Sequence, residues 1–351
     1  MRAMKILAPA GSVDEVEMLI GSGAEELYCG LSPREWLEKY TMAVWLNRRG
    51  PRSGNLRTFA ELRSLVDSAH SSGVPVFLTL NAPYYSAEQH PHLLEFCRRA
   101  EECGVAAFII SDLGLILALR DAKVKVPVHV SSVAATLNSS AVEFYRELGV
   151  TRVIFPRSLG VKDMGRIIQN SSADLEFEAF VLNDGCVYEE GFCHTTHNVA
   201  GAFCTTSWSY EWQADERPQP NGHREPDIHR EPGQGRISSE APEFDLEGHL
   251  ADYRRWVWYI NNCGCSNTPK GLPNGPCGLC AIPELAAMGI SSLKIVGREA
   301  NPYRKLAGLQ LVKAVVERVR AGMNPEKVRE LAARIRETPE LCSSGYMCYY
   351  R

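Results

Sequence analysis

The chain has 351 residues, 45% of them hydrophobic and 23% charged, with a formal net charge of −4 at neutral pH. That much apolar material can bury a sizeable core, which excludes a mostly disordered or collagen-like chain. The charge balance argues against a protein whose main work is coating nucleic acid. No apolar run approaches the ~18 residues of a spanning helix; the best, Ala106–Leu119, is broken by Asp112. The run after Lys5 contains Pro9 and Gly11 and soon meets Asp14, so it does not suit a secretory signal. A cytoplasmic protein without membrane insertion is expected.

In chain order, Lys5–Ala8 reads as a strand and Ser12–Gly21 as a helix, with Ser12 and Glu15 spaced as a capping box. Further strands are predicted at Glu26–Cys29, Val76–Leu80, Ala107–Ile110, Val128–Val130, Arg152–Phe155, Leu175–Val181 and Ser292–Val296. Helical spacing fills Phe59–Ser71, Glu88–Cys103, Leu113–Asp121, Ser139–Leu148, Val161–Gln169 and Tyr303–Ala321. Eight strands separated by helices predict a (β/α)8 barrel of the TIM type. An open doubly wound sheet fits less well, because Ala8–Ser12 lacks the glycine spacing of a phosphate loop after the first strand.

The rhythm breaks once, between strands seven and eight. The expected organisation is therefore 1–181 for strands one to seven, a Cys-rich insertion over 182–291, 292–322 for the last strand and closing helix, and a tail over 323–351. Within the insertion, 213–247 is rich in Pro, Gly and charge and carries His-Arg-Glu-Pro twice, at His223–Pro226 and His229–Pro232, which reads as a mobile loop or lid.

Barrels of this type work from the loops after their strands. Those positions hold Gly11, Ser12, Cys29, Asn81, Asp112, Ser131, Ser132, Arg157, Cys186, Arg298 and Glu299. Asn81, Asp112, Arg157 and Arg298 are the candidate substrate-placing and catalytic residues, the two guanidiniums suiting carboxylate or phosphate. Ser12 and Asp112 suit helix caps equally well.

Twelve cysteines are too few for a disulfide scaffold of this length, and nine of them fall between Cys186 and Cys348. Clustering of that kind in a reducing compartment points to metal first. Cys186, Cys193, Cys204, Cys263, Cys265, Cys277 and Cys280 lie in the insertion, while Cys342 and Cys348 follow in the tail. Cys277-Gly-Leu-Cys280 is a C-x-x-C pair, and four thiolates suit either tetrahedral zinc or an iron–sulfur cluster. If one of Cys263 and Cys265 is a bystander, eight remain. They form two sets: Cys186, Cys193 and Cys204 with Cys263 or Cys265, then Cys277, Cys280, Cys342 and Cys348, where zinc or a second cluster is expected. Cys29, Cys97 and Cys103 read as small buried hydrophobes. No nucleophile elbow, zincin helix or Walker loop is present. Cys193-His194 with His197 is a weak thiol–base candidate, since sequence neighbours rarely form a catalytic pair.

Several segments together resemble one family. Leu7-Ala-Pro-Ala-Gly-Ser12 with Leu27-Tyr-Cys-Gly30, Ser131…Asn138, Phe155-Pro-Arg157, Glu178-Ala-Phe180 leading to Cys186-x6-Cys193, and Ile282-Pro-Glu-Leu285 before Ser292-Leu-Lys-Ile-Val-Gly-Arg298 are similar to the collagenase-like peptidases, peptidase family U32. The resemblance implies a TIM-like barrel. It also implies kinship with oxygen-independent hydroxylation factors for transfer RNA, ribosomal RNA or a quinone ring, which hold a [4Fe-4S] cluster on four cysteines. By position Cys186, Cys193 and Cys204 match three of those ligands, with Cys263 or Cys265 preferred over Cys277 as the fourth. Val296 replaces the family's glutamate, and Asn183-Asp184 its His-Gly. The expected function is thus cluster-dependent modification of a nucleobase or an aromatic small molecule, served by an electron donor, in a homo- or hetero-oligomer. A peptidase and a non-catalytic metal-stabilised scaffold are the alternatives. The basic excess over Arg304–Arg336 favours RNA slightly, though a solvated helix face explains it equally.

Overall fold

In the computed structural model, residues 4–40, 45–50, 54–183, 191, 272 and 275–350 are described. Eight parallel strands close into one barrel in sequence order. They are β1 (Lys5–Pro9), β2 (Glu26–Gly30), β3 (Val76–Leu80), β4 (Ala107–Ile110), β5 (Val128–Val130), β6 (Val150–Ile154), β7 (Glu176–Leu182) and β8 (Ser292–Ile295). Closure comes from β8 pairing β1, with Ile6 opposite Leu293, and β7, with Ala179 opposite Leu293. The fold is a TIM barrel. Each predicted strand forms, within a residue or two at its ends.

The surrounding helices are α1 (Val16–Gly21), α2 (Arg34–Tyr40), α3 (Phe59–His70), α4 (His90–Glu102), α5 (Leu113–Asp121), α6 (Ser139–Glu147), α7 (Val161–Gln169), α8 (Ile282–Met288), α9 (Pro302–Arg320), α10 (Pro325–Arg336) and α11 (Pro339–Ser344). Side chains facing out of the strands, such as Ile6, Leu27, Leu78, Phe108, Val153 and Leu293, join the helices in the main core. Cys29, Cys97 and Cys103 are buried in this same shell as ordinary packing, so Cys29 faces the helices and not the mouth. Thr58, Asp112, Asn138 and Asn301 each cap a helix with a side-chain oxygen. The capping box expected at Ser12 does not form. Ser12 makes no cap bond, and Val13–Glu15 is a 3-10 turn before α1. The Glu15 carboxylate instead takes the Gly11 N–H at 2.7 Å and the buried Lys305 Nζ at 2.7 Å, a charge-assisted pair that a Ser12-centred box would forgo.

No helix among the described residues is long and apolar enough to cross a membrane. The segment 213–247 with its two histidine motifs lies outside the described residues.

Candidate functional site

Side chains alternate along a strand, so every second residue points into the barrel. Near the strands' N-terminal ends the lumen is charged. Arg152 on β6 donates to both Glu26 oxygens at 2.9 Å, to Glu178 at 3.2 Å and to Glu176 at 2.7 and 2.9 Å. The Ser292 hydroxyl donates to Glu26 at 2.7 Å. One layer up, Lys294 donates to Glu178 at 2.8 Å and lies 4.5 Å from the Tyr28 ring centre. Burial pulls the Lys294 ammonium below its usual range, and Glu178 opposes that pull. His129 packs edge-on against Phe77, and burial, with Arg152 and Lys294 nearby, holds it well below the usual imidazole value. Above these sits an apolar plug of Leu7, Tyr28, Phe77, Ile109, Ile154, Phe180, Val296 and Tyr349.

The mouth at the strands' C-terminal ends is basic. Arg298, only 5% exposed, donates to the amide oxygens of Asn47 at 2.8 Å and Asn55 at 3.2 Å. Burial lowers it to about 10, and Tyr28 opposes the fall, so it stays a cation near neutral pH. The clamp requires Gly30, where an added Cβ would stand 1.7 Å from Arg298 Nη1 and 2.1 Å from Asn55 Oδ1. Arg157 lays its guanidinium 3.9 Å from the Phe180 ring centre, and Arg49 pairs with Glu299 at 2.8 Å. Tyr28 is pushed up to about 12 by burial, against the fields of Arg298, Arg49 and Arg157.

Of the predicted site residues, Arg157 and Arg298 therefore stand around one aromatic floor. Asn81 joins the same end, accepting from Arg48 N at 3.2 Å and donating to Ser131 Oγ at 3.4 Å. Asp112 sits at the rim with its oxygens engaged. It takes the Leu115 N–H of α5 at 2.6 Å and the Tyr85 N–H at 3.3 Å, and His90 Nε2 stands 3.5 Å away. Three further polar atoms at this end, Ser111 Oγ, Thr136 Oγ1 and Asn183 Oδ1, are buried without a hydrogen-bond partner among the described residues.

The tail also folds back across the mouth. Tyr349 OH donates to Asn183 O and Tyr350 OH to Phe180 O. Gly278 makes room, since a Cβ there would meet the Tyr350 ring at 3.0 Å. No spacing rule marks two tyrosines as a barrel cover; only their aromatic character hinted at burial. A groove lined by Gly23, Glu25, Lys313 and Arg320 lies at the opposite end of the barrel, away from all these groups.

Cys186, Cys193, Cys204, Cys263 and Cys265 lie outside the described residues, as do His194 and His197. Cys277, Cys280, Cys342 and Cys348 are described, as thiols. The backbone brings Cys277 opposite Cys348 in a parallel bridge. Among the described residues no group of three or more His, Cys, Asp or Glu side chains is already arranged to hold a metal.

Comparison with known proteins completes the picture. The family model described as Peptidase family U32 matches residues 11–351. A protein of Escherichia coli (strain K12) named tRNA hydroxylation protein P is 24% identical over 336 residues, which is 91% of this chain and 69% of that protein. The 23S rRNA 5-hydroxycytidine C2501 synthase of the same organism is 25% identical over 56% of this chain and 27% of its own length. Among solved structures, a U32 peptidase at 15% identity superposes with a TM-score of 0.40 over 52% of this chain and 70% of that one. With a family match that runs nearly end to end, the chain belongs to peptidase family U32.

Proposed function

We propose that this chain hydroxylates a base in RNA, drawing oxygen from a donor other than dioxygen, at the basic, aromatic-floored mouth of its barrel. The observation that carries the reading is the convergence of Arg157 and Arg298 on the Tyr28–Phe180 floor, beside three buried polar atoms without partners among the described residues. Guanidiniums suit phosphate or another anionic group, and rings stack on an unpaired base. Ser111, Thr136 and Asn183 offer hydrogen bonds to a base edge, which is how flipped or single-stranded bases are read. The names of the RNA-hydroxylating relatives support the same substrate class.

The proposal extends to an iron–sulfur cluster at this end, on the cysteines that the sequence carries in the insertion. The insertion leaves after Leu182 and returns beside it, Asn183 N–H donating to Pro276 O at 2.8 Å and Gly278 N–H to Val181 O at 2.7 Å. Along the chain, Cys186 follows Asn183 by three residues and Cys193 follows Gly191 by two, and a Cβ on Gly191 would stand 2.6 Å from Val133 O in the loop after β5. Cys186, Cys193 and Cys204 with Cys263 or Cys265 would hold the cluster, which supplies one-electron chemistry when bound. The chain's own residues have other tasks. Arg298, fixed by Asn47 and Asn55, binds the anionic group, and Arg157 orients the base against Phe180. The Tyr349–Tyr350 cover limits water.

The test is nucleoside mass spectrometry of RNA from a strain lacking this chain, with and without complementation. One nucleoside, an oxygen atom heavier than its parent, is expected to vanish and to return with the wild type but not with Cys193→Ala. An unchanged nucleoside profile would refute the reading, as would peptide hydrolysis by the cluster-free protein.

A further inference from the structure

We propose that Cys277, Cys280, Cys342 and Cys348 bind one zinc ion as four thiolates, and that this ion fastens the tail across the barrel mouth. The set is separate from the cysteines assigned to the cluster, and the inference stands whether or not the RNA reading holds.

The first observation is where the backbone puts the four residues. Cys277 and Cys348 face each other in a parallel bridge, Cys277 N–H donating to Met347 O at 2.5 Å and Tyr349 N–H to Cys277 O at 3.0 Å. Such pairing sets two Cα atoms roughly 5 Å apart. Cys280 follows across a 3-10 turn, Leu279–Ala281, the C-x-x-C arrangement in which two thiolates reach one ion. Cys342 comes from α11, just before the chain turns at Gly345 toward Cys348. The Cys280 thiol is within electrostatic range of Cys277, Cys342 and Cys348 alike. Among the described residues no three of these thiols already stand as a metal site, and each has a single side-chain torsion with three wells through which it would turn toward an ion.

The second observation is Arg336, the last residue of α10. It is 1% exposed, yet among the described residues no carboxylate pairs with it and its Nε and Nη1 are buried without a hydrogen-bond partner. Its Nη2 donates to the Gly275 carbonyl at 3.2 Å, and the guanidinium also hydrogen-bonds the Cys277 thiol. A buried cation left this way is costly unless a negative charge faces it. The Arg336 charge acts on Cys277 directly. Four neutral thiols give it no counter-charge, whereas zinc with four thiolates carries a net charge of about −2 and supplies one. A buried guanidinium held against Cys277, with no carboxylate beside it among the described residues, thus fits a thiolate–metal centre better than four protonated cysteines.

The consequence reaches the mouth. Cys348 precedes Tyr349, whose ring belongs to the lumen plug and whose hydroxyl bonds Asn183. The ion would tie α10, α11 and the return of the insertion into one unit and hold that ring in place. Zinc binding is redox-neutral here; it releases the thiol protons to solvent.

The test uses the full chain purified without chelator, assayed for zinc and iron by mass spectrometry and for exchange at the Tyr349 amide. About one zinc per chain is expected, falling at least fivefold in Cys280→Ser and in Cys342→Ser and unchanged in Cys193→Ala. Cobalt loading should give the intense thiolate-to-metal absorption of a tetrahedral sulfur site, and Cys280→His should keep the metal with a shifted band. Chelation should speed exchange at Tyr349 at least tenfold. Wild-type protein without zinc, zinc lost in Cys193→Ala, iron in place of zinc at these four residues, or disulfides joining them would each overturn the proposal. The cobalt spectrum of Cys193→Ala, in which the insertion's own set of thiolates is incomplete, decides the matter even if the serine variants fail to fold.

Discussion

Arg152→Met probes the charged base of the lumen. The substitution keeps an apolar stem near Phe77, over whose ring the guanidinium lies at 5.1 Å, and removes five hydrogen bonds to three glutamates. The losses are unequal. Glu178 retains Lys294 at 2.8 Å, and Glu176 is partly exposed. Glu26, 1% exposed, is left with the Ser292 hydroxyl at 2.7 Å and Lys5 at 3.5 Å. One poorly compensated buried carboxylate costs about 3–5 kcal/mol. With a urea m-value at or above the usual ~1–3 kcal/mol/M for small proteins, the midpoint should fall by roughly 1–2 M. Arg152→Met/Glu26→Gln removes the stranded charge and should recover about half of the loss. Circular dichroism in a urea series measures both. A midpoint shift below about 0.3 M, or a double variant no better than the single one, would refute the view that this network compensates its own burial.

Stability should depend on pH through His129. Its folded value is depressed by burial, so below about pH 6.5 the unfolded chain takes a proton that the folded chain refuses, and stability falls with pH at up to ~1.4 kcal/mol per unit. His129→Asn should flatten that slope between neutral pH and about pH 5, read from melts at matched ionic strength; an unchanged slope would exclude His129 as its source. Gly30→Ala should displace Arg298 from Asn47 and Asn55, costing about 1–3 kcal/mol and lowering RNA modification, whereas retained activity would show that the clamp is dispensable. Asp112→Ala should lose about 1 kcal/mol by uncapping α5, while Asp112→Asn, itself a good cap, should stay within ~0.5 kcal/mol of wild type in the same urea series.

The barrel was legible because its strands are short runs buried on the helix side, and their spacing by helices admits few topologies. Less legible was what the strands carry inward. Glu26, Arg152, Glu178 and Lys294 lie inside segments recognised by their apolar neighbours, and only strict alternation would have flagged them as lumen charges. Helix α2 leaves no apolar stripe to read, because Trp36 is its one buried side chain. Arg157 and Arg298 could be placed from strand ends alone, but the Asn47–Asn55 clamp rests on a loop whose fold no local pattern specifies. The tail is the extreme case. The contacts of Tyr349 with Phe180 and Asn183 span well over a hundred residues and follow from tertiary closure, not from propensity.

Anaerobic purification with iron, sulfide and Mössbauer analysis tests most directly whether thiolates grip iron beside the barrel mouth. About four irons and four sulfides per chain are expected, with the spectrum of a cubane cluster that disappears in Cys186→Ala and Cys193→Ala. Protein that is folded and RNA-competent yet free of iron, or iron unchanged by both substitutions, would contradict it.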